Sequence, residues 1–377
     1  MPIRSFIFLP LGIILALRAA ESVPPSAVFR HQDLSYYTRP DGSHALIHTA
    51  ADWEQRRAQI VAGLEQVMGP LPRPTPPVPL EVQVLEEHKE VGYIRRKVAY
   101  HTDDAKSRVH AWLLVPSPSI GSQRPGNSHP ESKQYPAVLC LHQTTPSGKD
   151  SVVGLADRPT LHYAKELAIR GYVTLSPDYP SFGEYKGYDF KGGAYLSGTM
   201  KAIYDNMRGI DLLQSLPEVD GEQIGCIGHS LGGHNTLFTA VFDSRIKAAI
   251  TCCGFTSFHK YKGGDLRGWA SPRYMPRIAT KYNNSADLMP FDFAEVVAAI
   301  SPRAVFVVAP LHDDNFDVEG VRDVLKSATV IYQLLGQPDR LQAVYPDSKH
   351  DFPDAERNAE YEFLDRNLRP SDGTDDK

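Results

Sequence analysis

From Ala137 to Leu368, short uninterrupted apolar runs alternate with longer amphipathic ones, and this alternation limits the fold more than any other feature. "AVLCLH" (Ala137–His142) is a buried-strand run, and "LHYAKELAIRG" after it is a helix ending at Gly171. "YVTLSPDYP" is a strand with its loop, "SGTMKAIYDNMRGIDLLQSL" a long amphipathic helix, "QIGCIG" a strand and Leu231–Val241 a helix. "KAAITCC" and "AVFVVAP" are strands separated by a long insertion. A helix over "DVEGVRDVLKSATVIYQLLG", a strand over "LQAVYP" and a helix over "DAERNAEYEFLDRNL" complete the pattern. Strands that are apolar throughout need cover on both faces, so the expected fold is α/β, with a mostly parallel central sheet between two layers of helices. No repeat of fixed period is visible.

The preceding third of the chain reads differently. "SFIFLPLGIILAL" follows a basic start and is too short to span a bilayer, so residues 1–22 are expected to be a secretory signal. Export to the periplasm or the exterior, with no stable membrane span after signal removal, is the expected localisation. Thr49 to Asp52 has the capping-box pattern, with Trp53, Ile60, Leu64 and Val67 on one face of the helix that follows. Leu80–Leu85, Tyr93–Tyr100 and Val109–Val115 form an expected antiparallel meander, and residues 117–134 a polar loop. The division is then 1–22 signal, 23–135 N-terminal helix and meander, 136–368 catalytic core with a lid insertion over 254–300, and 369–377 a disordered tail. A net charge of −5 with no Lys/Arg block argues against nucleic acid as a partner.

The strand "QIGCIG" runs into Gly228-His229-Ser230-Leu231-Gly232, a G-x-S-x-G between strand and helix, which is the context of a nucleophile elbow. Glycine on both flanks permits a sharp turn, and the helix beginning at the serine aims N–H groups and a positive dipole end at the same point. Ser230 is the expected nucleophile. A serine hydroxyl needs a base, and His350 lies in "YPDSKHDFP", after the last strand and before the last helix. His142, His229, His234 and His312 fit that role less well. The base needs an acid to fix its tautomer. "AVFVVAPLHDDNF" supplies Asp313 and Asp314 after a strand end, and the offset favours Asp313. The order Ser230, Asp313, His350 is that of the α/β-hydrolase design. Leu231 N–H is one expected oxyanion donor, and the loop after "AVLCLH" supplies the other.

Rival uses of these residues are weaker. Asp313, Asn315 and Asp317 begin like a calcium loop, but Val318 stands where glycine is needed and Val324 where the closing glutamate should be. Cys140, Cys226, Cys252 and Cys253 form no disulfide framework and no zinc spacing, and read as buried small side chains. No metal and no cofactor are expected. A peptidase acting on short peptides would need carboxylates near the nucleophile to bind an amine, and Glu86 with Glu87 reads better as a solvated strand edge. A non-catalytic binding protein on the same scaffold would commonly have lost one of the three residues, and all three are present.

Together these stretches resemble the α/β-hydrolase superfamily, and within it the dienelactone hydrolase and acetyl xylan esterase-like branch. "RGYVTLSPDYPSFGEY", "SLPEVDGEQIGCIGHSLGG" and "SRIKAAITCCGF" are similar to that branch, although Tyr185 stands where many relatives carry arginine. The prolyl oligopeptidase branch shares the core, but its peptidases usually carry a propeller for which this N-terminal part is too short. The resemblance implies a serine carboxylic ester hydrolase acting on a small-molecule or carbohydrate ester, such as an acylated plant carbohydrate, and it places Gln143 as the second oxyanion donor. The insertion leaves the sheet edge where α/β ligands sit, so Trp269, Arg273 and Tyr274 are candidate substrate contacts. For any one of its aromatic residues, packing of the lid is the simpler use.

Overall fold

A computed structural model describes residues 27–72, 76–104, 108–117, 134–156 and 158–369. The expected signal, most of the polar loop and nearly all of the tail lie outside the described residues. The chain opens with helix α1 (Ala27–Gln32), a hairpin of β1 (Tyr36–Thr38) and β2 (His44–Leu46), and α2 (Ala50–Met68). Thr49 caps α2 as expected: its hydroxyl accepts the Asp52 N–H at 3.2 Å, and Asp52 accepts the Thr49 N–H at 3.0 Å. Trp53, Ile60, Leu64 and Val67 are all buried.

Nine strands then form one sheet. In chain order they are β3 (Gln83–Glu90), β4 (Tyr93–Tyr100), β5 (Val109–Pro116), β6 (Tyr135–Leu141), β7 (Val173–Pro177), β8 (Val219–His229), β9 (Ile246–Cys252), β10 (Ala304–Val308) and β11 (Leu341–Val344). Across the sheet the order is β11-β10-β9-β8-β6-β7-β5-β4-β3. From β7 to β11 every pairing is parallel, while β3, β4 and β5 are antiparallel to one another and β5 is antiparallel to β7. The meander is therefore the continuation of the central sheet and not an appendage to it. Its first strand begins three residues later than expected and is exposed along almost its whole length. A free edge strand with two wet faces has no apolar requirement, so hydropathy misplaces it. Cross-strand ion pairs, Glu86 to Lys97 at 2.7 Å and Glu87 to Arg96 at 2.8 Å, line this edge.

The helices α3 (Tyr163–Ile169), α4 (Gly198–Ser215), α5 (Leu231–Phe242), α6 (Arg277–Thr280), α7 (Phe293–Ala298), α8 (Val318–Leu334) and α9 (Asp354–Leu368) complete the fold. Alternation along a strand divides the core in two. Ala137, Leu139 and Leu141 of β6 join the cluster that contains residues of α2, α4, α5, α7 and α8. Val138 and Cys140 join the cluster of α3 and α9 on the other face. The N-terminal segment also holds the insertion in place: Glu295 of α7, almost fully buried, receives Arg56 at 2.5 Å and His31 at 2.7 Å.

Candidate active site

The parallel strands end along one edge, and the turn from β8 to α5 crosses it. Ser230 has φ +54° and ψ −118°, a backbone conformation that costs a non-glycine residue about 1–3 kcal/mol. The surroundings impose it. The Ser230 N–H donates to Cys252 O at 2.8 Å, and its own carbonyl accepts the His234 N–H at 3.1 Å. The flanking glycines have a steric cause. A β-carbon on Gly232 would lie 1.9 Å from the Leu141 carbonyl oxygen, and one on Gly228 would lie 2.3 Å from the Gly232 carbonyl.

Three loops meet at this turn. His350, between β11 and α9, has Nε2 2.9 Å from Ser230 Oγ and Nδ1 2.9 Å from Asp313 Oδ2. The carboxylate accepts the Nδ1 proton, which leaves Nε2 free to accept the serine hydroxyl. Asp313 is anchored in turn: its Oδ1 accepts the N–H groups of Asn315 at 2.8 Å and Phe316 at 3.1 Å. Asp314 offers no such contact, and its carbonyl takes Lys262 Nζ at 2.5 Å. Two of the three side chains that resembled a calcium loop are thus engaged in the fold, since Asp317 caps α8 by accepting the N–H groups of Glu319 and Gly320. Burial works against ionisation of Asp313, but His350 and the two N–H donors outweigh it and hold the carboxyl below its usual range. Burial likewise opposes the His350 imidazolium, but the Asp313 carboxylate and then the Cys253 sulfur outweigh it, and the net movement is upward.

The loop after β6 is fixed by His142 and by an ion-pair cluster that sequence reasoning passed over. His142 Nδ1–H donates to the Gln143 carbonyl at 2.6 Å, and its Nε2 accepts the Tyr179 N–H at 3.0 Å. Burial lowers its basicity, so the neutral ring these two bonds require is the favoured form. Beneath it, Lys149 is 1 % exposed and reaches Asp178 at 2.8 Å and Glu184 at 2.7 Å. Asp178 also accepts the N–H groups of Lys149 and Glu184, which ties the loops after β6 and β7 together. "PSFGEY" carried part of that signal: a β-carbon on Gly183 would sit 2.0 Å from Asp178 Oδ1. Tyr185 occupies the position where many relatives carry arginine, and the ammonium of Lys201, paired with Asp205, lies 5.9 Å from its ring centre.

The three candidate substrate contacts are placed differently. Trp269 is 4 % exposed, with ring centres of His234, Phe258, Tyr261, Phe293 and Phe316 between 4.9 and 6.3 Å away, so its faces pack the insertion. Arg273 and Tyr274 stay partly open. Arg273 lies over the Phe182 ring at 4.4 Å and donates to Ser181 Oγ at 2.7 Å. Tyr274 packs against the cluster of Tyr179, Phe182, Ala202 and Leu231, and its hydroxyl is 3.3 Å from Thr144 Oγ1. Their segment is pinned to α4, where a β-carbon on Gly198 would meet the Arg273 carbonyl oxygen at 2.1 Å.

This sheet, with a serine elbow at one strand end and an Asp–His pair brought to it from two later loops, is that of an α/β-hydrolase. The chain belongs to the prolyl oligopeptidase family, whose model matches residues 160–370. It is 30% identical over 230 residues to the YtaP protein of Bacillus subtilis, an alignment covering 57% of this chain and 73% of that one. It is 22% identical over 387 residues to 4-O-methyl-glucuronoyl methylesterase 1 of Wolfiporia cocos, covering 95% of this chain and 88% of the other. Among solved structures, a glucuronoyl esterase from Teredinibacter turnerae superposes with TM-score 0.67 at 15% identity, over 90% of each chain. One from Solibacter usitatus gives 0.65 at 19% identity, over 87% of this chain and 95% of that one. At these identities the superpositions speak for the fold.

Proposed function

We propose that the protein is an exported serine carboxylic ester hydrolase that acts on acylated or esterified plant carbohydrate. The observation that carries this reading is the unbroken chain from Ser230 Oγ through His350 to Asp313, with both contacts at 2.9 Å. Ser230 attacks the ester carbonyl as His350 Nε2 takes its proton. The N–H groups of Leu231 and Gln143 hold the oxyanion. The tetrahedral adduct collapses, the alkoxide leaves with the proton from His350, and an acyl-serine remains. Water then attacks that ester, His350 removes its proton, and the acid departs with Ser230 restored. The relatives named for esters of glucuronic acid favour a carbohydrate ester as substrate. Export rests on the apolar start of the sequence, and no helix among the described residues is long and apolar enough to cross a membrane.

The family name raises the peptidase reading. Glu86 and Glu87 lie on β3, five strand spacings from β8, which is about 24 Å across the sheet. That is too far for them to bind the amine of a peptide whose carbonyl meets Ser230. A panel of p-nitrophenyl acetate, acetylated xylan oligosaccharides, a methyl glucuronate ester and aminoacyl-p-nitroanilides tests the assignment. Turnover of a sugar ester, lost in Ser230→Ala, is the expected result. Turnover confined to the anilides would reverse it.

A further inference from the structure

Directly behind the base lies a second cluster, whose side chains neither attack the ester nor carry its proton in the proposed reaction. His229 ends β8, Cys252 ends β9, and the two are register partners across the parallel pair. His229 is 0 % exposed, and neither of its ring nitrogens has a hydrogen-bond partner among the described residues. One His229 nitrogen and the sulfurs of Cys252 and Cys253 lie within 4.8 Å of one another. The Asp351 carbonyl oxygen is 3.5 Å from each sulfur. Adjacent residues of a strand normally point to opposite faces. Cys253 escapes that rule because it follows the strand end with φ +50°, which brings the two sulfurs to 3.7 Å.

That spacing is informative. In a tetrahedral zinc site with Zn–S bonds of about 2.3 Å, two sulfurs stand about 3.8 Å apart along the edge. Two thiolates, an imidazole and an oxygen form a donor set suited to a borderline-soft ion of closed shell. The carboxyl of Glu360 on α9 is fully buried and has no hydrogen-bond partner among the described residues, and burial, then the nearby Cys253 sulfur, push it well above the usual carboxylate range. Cys253, Asp313 and His350 also converge within 4.8 Å. There, however, the imidazole and the carboxylate are already bonded to each other, whereas the ring nitrogens of His229 have no hydrogen-bond partner among the described residues.

We propose that His229, Cys252 and Cys253, with the Asp351 carbonyl, form a binding site for a thiophilic divalent cation of the zinc class, placed against the back of the His350 ring. The His229 and His350 ring centres are 4.9 Å apart. The site does not depend on which ester, if any, the enzyme cleaves. Because it is buried, loading occurs while the chain folds, and binding releases the two thiol protons.

The test uses the full chain, expressed in medium supplied with Co(II) and separately with Zn(II), followed by metal analysis and visible spectroscopy. The proposal expects one Co(II) per chain, with the intense visible bands and sulfur charge-transfer absorption of a four-coordinate thiolate site. Cys252→Ser, Cys253→Ser and His229→Gln should each remove the signal, and Cys140→Ser should keep it, with near-UV dichroism reporting the fold of every variant. Should the three variants fail to fold, X-ray absorption at the zinc edge of the wild-type protein decides: a shell with two sulfurs at about 2.3 Å supports the site. Less than a tenth of an equivalent of metal in the wild type, or a shell of oxygen and nitrogen alone, overturns it.

Discussion

The catalytic edge and the insertion over 254–300 use similar residue types for opposite ends. At the edge, a few polar side chains are held by backbone groups: Asp313 by two N–H donors, His142 by one carbonyl and one N–H, and Ser230 by a strained turn. In the insertion, Phe255, Phe258, Trp269, Phe291 and Phe293 are buried against one another and against Phe238 of α5. The edge is thus arranged for reactivity and the insertion for cohesion, although its string of aromatics and arginines reads in sequence like a ligand platform. Its stretch at Arg273 and Tyr274, pinned beside the loop after β6, belongs to both regions.

Substitutions separate the two regions. Ser230→Ala should cost about 10⁶ in kcat with no fall in thermal midpoint, measured by burst-phase kinetics and calorimetry. A residual rate within tenfold of wild type would move the nucleophile elsewhere. Asp313→Asn should cost about 10⁴ in kcat, because the amide favours the wrong imidazole tautomer, while Asp314→Asn should cost less than tenfold. In the insertion the pattern inverts. Trp269→Ala should lose about 3–5 kcal/mol of stability, read as a lower denaturant midpoint at unchanged slope, with kcat of the folded fraction within tenfold. A large KM effect at unchanged midpoint would instead make Trp269 a substrate contact. The pH profile sharpens the picture of the edge. His350 must be neutral to take the serine proton, and its pKa is raised above the usual 6.5. The acid limb of kcat/KM should therefore lie above 6.5, with activity rising as pH climbs through it, and a limb at or below 6.5 would contradict the Asp313 contact. Smallest of all, Arg273→Ala should raise KM severalfold for carbohydrate esters and lower stability by about 1–2 kcal/mol, through the lost Ser181 hydrogen bond and Phe182 stacking.

The sequence by itself determined the alternation of strand and helix and the capped helix at Thr49, and it singled out Ser230, Asp313 and His350, three side chains that the structure places in contact. Each of these is a local matter: periodicity, a capping pattern, or a motif at the end of an apolar run. Only the tertiary structure decided what depended on neighbours distant in the chain. It joined the meander to the sheet through β5 and β7, and it began the edge strand at Gln83, where no buried face imposes a hydrophobic pattern. It turned Trp269 inward, and it set Lys149 beneath the loop after β6 against Asp178 and Glu184. It also brought His229, Cys252 and Cys253 together, a grouping no spacing rule reveals, because parallel strands align residues far apart in sequence and one positive φ overrides the alternation of side chains.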